Sequence, residues 1–158
     1  MRDIVSSLGF FQAFDADVAT AAAAGETIDL RGYNAAVITA NVHGLASAGS
    51  MAATTWKFVL QHGLASDAGV SAWSNVAASL MLHSVYGLNG ATSTASDGVW
   101  EYLDSATESG TFFVGYRGDT EHRYLRLYLS ASGAASTMGF GAQAVLGLKH
   151  QWPVNDVK

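Results

Sequence analysis

A chain of 158 residues carrying eight Lys and Arg against thirteen Asp and Glu, a formal net charge of −5 and no cysteine has room for one core that buries roughly 70% of the unfolded surface. Its scattered basic residues exclude the clustered phosphate neutralisation of a nucleic-acid binder, and the missing cysteines exclude disulfides, thiolate metal sites and thiol nucleophiles together. Charged residues are only 13% of the chain, about half the usual share, so the surface is expected to associate, through large subunit contacts.

The opening Met1-Arg2-Asp3-Ile4-Val5 lacks the charged-then-apolar order of a secretory signal, and no run approaches the ~20 apolar residues of a membrane span. The expectation is a soluble chain made in a cytoplasm, without membrane contact. Residues 1–24 are expected to form an extended N-terminal arm with Phe10, Phe11 and Phe14 as anchors and a short helix at its alanines, ended by Gly25. A single domain over residues 25–158 follows.

Strand patterning begins at residues 27–33, with turn chemistry at Asn34, and continues at 35–43, 55–62 and 73–76. Residues 79–86 fit a strand or a helical turn equally well. Residues 87–98, rich in Gly, Asn, Ser and Thr, are a loop, and 99–103 form a strand. Residues 111–129 spell a β-hairpin whose second arm sends Arg123, Leu125, Leu127 and Leu129 to one side and His122, Tyr124, Arg126 and Tyr128 to the other. A small-residue loop, 130–137, leads to a last strand at 138–148, apolar on one side and with Gly139, Gly141 and Gly147 on the other, where a second backbone or a ring can approach closely. The sum is an all-β chain folded as an antiparallel β-sandwich, jelly-roll or Greek-key like, with the strand order left open.

The five histidines stand far apart along the chain, so neither a metal site nor a cofactor is expected. No serine sits in a nucleophile elbow, and no catalytic residue is assigned. Asp15 and Asp17 lack the rest of a calcium loop. Arg117-Gly118-Asp119 spells a receptor-recognition tripeptide, for which turn chemistry is sufficient reason. Trp56, Trp73, Trp100 and Trp152 raise the alternative of a sugar-stacking platform.

Four blocks carry a resemblance: Glu26-Thr27-Ile28-Asp29-Leu30-Arg31-Gly32-Tyr33; Phe58-Val59-Leu60-Gln61-His62 with Trp73-Ser74-Asn75-Val76; Val114-Gly115-Tyr116-Arg117-Gly118 with Arg123-Tyr124-Leu125-Arg126-Leu127; and Gly141-Ala142-Gln143-Ala144-Val145-Leu146-Gly147 before Pro153. In this order the chain resembles a family of small virion structural proteins of tailed double-stranded DNA phages. The resemblance implies a non-enzymatic decoration or cement protein on the capsid surface, with the major capsid protein and further copies of itself as partners; a trimer would suit local threefold positions. Phe10, Phe11, Phe14, Tyr124, Arg126, Tyr128 and Trp152 are the candidate contact residues. The alternative is a carbohydrate- or receptor-binding module of a virion fibre or spike.

Overall fold

Alternating apolar and polar or small side chains become eleven strands in a computed structural model that describes residues 8–47, 55–64, 73–83, 98–103, 110–119, 121–132 and 136–149. They are β1 (Gly9–Ala19), β2 (Ala23–Ala24), β3 (Ile28–Asp29), β4 (Tyr33–Ser47), β5 (Thr55–Leu64), β6 (Trp73–Asn75), β7 (Met81–His83), β8 (Val99–Leu103), β9 (Gly110–Tyr116), β10 (His122–Ser132) and β11 (Ser136–Lys149). The ambiguous stretch is both things in turn, a 3₁₀ turn at Ala78–Leu80 and then β7.

One sheet, called A here, runs β1-β11-β4-β9-β7, and the other, B, runs β2-β10-β5-β6 with β3 also beside β10 and β8 also beside β5. All pairings are antiparallel. Short β2 and β3 share one side of β10, and β6 and β8 share one side of β5. Each pair therefore counts as one interrupted strand. With β7 as an added edge, the order becomes first-eighth-third-sixth over second-seventh-fourth-fifth, the double Greek key of a jelly roll.

This wrapping overturns the expected hairpin. β9 pairs with β4 and β7, β10 with β2, β3 and β5, and the two lie in opposite sheets. Each strand has one apolar face, Val114 and Tyr116 on β9 and Leu125, Leu127 and Leu129 on β10, all buried. Alternation alone does not say whether two such faces lie side by side in one sheet or face each other across a core. The described residues between them, Arg117, Gly118, Asp119 and Glu121, form a corner. Gly118 takes φ 70° there, and the Asp119 carboxylate accepts from the amides of Glu121 and His122 at 3.0 and 2.7 Å, an Asx turn.

The N-terminal segment is extended, as expected, but its residues 9–19 are hydrogen-bonded along β11 as the edge strand of sheet A. No helix forms at the alanines: Ala23 and Ala24 pair with Leu129 and Tyr128, so sheet hydrogen bonds override alanine's intrinsic preference. Gly25 is there for space. Its amide donates to Leu127 O at 2.8 Å, and a Cβ would stand 2.2 Å from Ala13 O. The reversal expected at Asn34 comes earlier, at Gly32 (φ 85°), where Asp29 Oδ1 accepts from the Arg31 amide at 2.9 Å.

The core lies between the sheets. Sheet A lines it with Ala36, Ile38, Ala40, Ala142 and Ala144; sheet B faces these with Trp56, Phe58, Leu60, Leu125 and Leu127. The small side chains of sheet A, mixed with the larger Tyr116, Met138, Phe140 and Leu146, let layers about 10 Å apart interlock. A file of rings crosses from edge to edge: Phe14 to Phe140 at 4.5 Å, Phe140 to Phe58 at 5.7 Å, Phe58 to Trp100 at 5.2 Å between centroids.

Candidate interaction surfaces

The outer face of sheet A is built by register. Phe10 is opposite Val145, Val145 opposite Val37, Val37 opposite Gly115, and Gly115 opposite Leu82. Directly opposed residues share a face, so one apolar row crosses five strands, about 19 Å at 4.8 Å per strand spacing. Its large members are uncovered: Phe10 is 64% exposed, Leu82 63% and Val37 42%, and Phe113 in the next row is 46% exposed. The strands of sheet A contain no Lys, Arg, Asp or Glu other than Asp15 and Asp17 on edge strand β1 and Lys149 at the end of β11. An open groove of about 460 Å³ lies over Gly141 between Phe10, Gln12, Asn41 and His43. Gly141, on the glycine face of the last strand, thus borders this recess.

Sheet B presents the opposite character. Lys57, Glu101, Arg123 and Arg126 are on its strands. Arg126 donates from Nε to Gln61 Oε1 at 2.9 Å, its guanidinium carbon stands 4.3 Å over the Trp73 ring, and Gln61 in turn donates to Asn75 Oδ1 at 3.1 Å. Burial pushes the Arg126 pKa down, against an opposing pull from Tyr128. Arg123 grips Asp29 through both carboxylate oxygens, at 2.9 and 2.6 Å, and this hydrogen bonding holds the Asp29 carboxyl below its ordinary value.

The expected contact residues therefore divide. Phe10 is in the apolar row and Phe11, 41% exposed, is beside the groove. Phe14 is half-buried against Phe140, so packing within the chain occupies it. Tyr124, Arg126 and Tyr128 are half-buried on sheet B, away from Phe10, and the two groups do not form one site. Trp152 lies outside the described residues. The four-tryptophan platform does not form: Trp56 and Trp100 are core residues, 1% and 3% exposed, and Trp73 carries Arg126 on its ring.

A third grouping escapes the reading of spacing along the chain. β5 and β10 are neighbours, and a register shift between His122 and Tyr124 breaks the alternation expected of β10. The His122 ring therefore stacks on buried His62, centroids 3.5 Å apart and planes within 8°, instead of sharing a side with Tyr124. Asp119 Oδ2 accepts from His122 Nδ1 at 2.8 Å and stands 3.6 Å from His62 Nδ1; the Tyr116 hydroxyl is 3.3 Å from that same nitrogen. Desolvation, with the neighbouring His122 next, pushes the His62 pKa down, and burial pushes the Tyr116 phenol up. Burial works to raise the Asp119 carboxyl, but the amide and ring of His122 and the amide of Glu121 outweigh it and hold the carboxyl below its ordinary value. With its oxygens so engaged, the Asp119 carboxylate caps the corner, although the residue itself is exposed.

No protein-family model matches the chain, and no curated protein matches it.

Proposed function

We propose that this protein is a non-enzymatic structural component of a tailed-phage virion, a decoration or cement protein that binds the capsid surface as an oligomer. The observation that carries the reading is the apolar row on the outer face of sheet A, which crosses all five strands and leaves Phe10, Val37 and Leu82 exposed. Exposed apolar patches usually mark interaction sites on soluble proteins, and a row without charges meets another protein surface at little desolvation cost. The order of sequence blocks supplies the virion context. Jelly rolls occur in capsid proteins and in lectins alike, so the fold adds no choice between shell and sugar; the loss of the tryptophan platform weighs against sugar. Many copies of modest affinity, bound only to the assembled lattice, stabilise that lattice by mass action.

Co-sedimentation of the purified chain with capsids assembled from a tailed-phage major capsid protein tests the reading. Saturable pelleting with shells, and none with unassembled capsid protein, is expected. A chain that stays in the supernatant while being retained on a glycan array overturns it.

A further inference from the structure

The geometry points to a divalent transition-metal site, of the Zn²⁺ class, held by His62, Asp119 and His122. Three pieces of chain converge there: β5, the corner between the sheets, and the start of β10. One ligand atom from each lies within 4.8 Å of the others. The two measured edges, Asp119 Oδ2 to His122 Nδ1 at 2.8 Å and to His62 Nδ1 at 3.6 Å, bracket the roughly 3.3 Å between ligands of a tetrahedral ion bonded at about 2.0–2.1 Å. Two imidazole nitrogens beside a single carboxylate favour such an ion over Mg²⁺ or Ca²⁺, which call for oxygen ligands.

A second observation concerns His62 itself. It is buried, 5% exposed, and its Nδ1 has only long partners, Tyr116 at 3.3 Å and Asp119 at 3.6 Å. A buried polar atom with poor hydrogen bonds keeps much of its desolvation penalty, and a coordinate bond to Nδ1 removes it. The stacked rings set the route of loading. Lone pairs of parallel imidazoles do not meet at one point, so one ring must tilt, and His122 is the half-buried one at a strand end. Asp119 is already fixed by the amides it caps. A loaded site ties the corner between the sheets to β5, the service a disulfide gives other small domains, in a chain without cysteine.

Titration of the full chain with ZnCl₂, followed by calorimetry and thermal unfolding, should show one ion bound per chain and a raised midpoint. Co²⁺ in its place should develop the visible absorption of a tetrahedral site. His122→Ala should weaken binding by about tenfold or more and lose the colour, while His43→Ala, an exposed histidine of sheet A, leaves both unchanged. No saturable binding by the native chain, or equal binding by His122→Ala, overturns the site. Should His122→Ala fail to fold, imidazole proton NMR of the native chain decides: His62 and His122 signals unmoved by Zn²⁺ overturn it.

Discussion

Phe10 and Phe14 are four positions apart on the same strand, yet they differ in what they are worth to the fold. Phe14 packs on Phe140 at 4.5 Å, whereas Phe10 is 64% exposed on the outer face. Phe14→Ala should therefore cost about 2 kcal/mol, by lost burial and a cavity under β1, and Phe10→Ala no more than about 0.5 kcal/mol. Urea unfolding of the two variants checks this, and equal costs would contradict the assignment of their faces. A second residue-scale effect is electrostatic. The Asp29 carboxyl has a lower pKa folded than unfolded, chiefly through its hydrogen bonds from Arg123. As pH falls, the unfolded chain takes up that proton first, so the contribution is whole above the ordinary carboxylate value of about 4 and is lost as pH drops through the folded value. The native chain's urea midpoint should then fall more steeply below pH 4 than that of Asp29→Asn; parallel curves would show that the pair adds nothing.

At the scale of elements, glycines and corners decide where strands go. Gly25 lies between β2 and β3 along the edge of sheet B, with Ala13 O and Leu127 O closing on its missing side chain. Gly25→Ala should destabilise by about 1–3 kcal/mol through overpacking against backbone that cannot swing aside. Gly32→Ala meets nothing within 4 Å and is strained only by its φ of 85°, a cost of about 1 kcal/mol. Thermal midpoints of the two should rank in that order. The sequence marks both positions as glycine and reads only Gly25 as a break, the turn being expected at Asn34, and the difference between a conformational and a spatial need arises only where strands far apart in the chain come together. The same holds for β10. Its period of two is plain in residues 124–129, while the register shift that turns His122 onto His62 leaves no mark in the pattern.

For the whole molecule, the decisive property is its two-sidedness, with charged side chains on the strands of sheet B and an exposed apolar row across sheet A, whose strands carry charge only at Asp15, Asp17 and Lys149. Val37→Lys combined with Leu82→Glu places a charge at two exposed positions of the apolar row, so folding should be kept and association lost. Size-exclusion chromatography with light scattering should show the native chain as an oligomer and the double variant as a smaller species that no longer pellets with shells. Tyr124→Ala with Tyr128→Ala, on the other sheet, separates the two surfaces: lost binding from this pair, with binding retained by the first, would move the contact to sheet B.

Composition, a period of two in nearly every segment, and breaks of Gly, Ser and Asn determined by themselves that this chain is all-β and folds as an antiparallel sandwich, because alternation is a local consequence of the pleat. Which strands are neighbours is a non-local matter, settled by how the apolar faces close over one another. Tertiary structure alone decided that β9 and β10 belong to opposite sheets, that β1 completes sheet A, that two tryptophans are core, and that His62, Asp119 and His122, sixty residues apart at their extremes, meet at one corner. Spacing along a chain measures distance only within an element, and these residues are brought together by the pairing of β5 with β10 and by the turn that Asp119 caps.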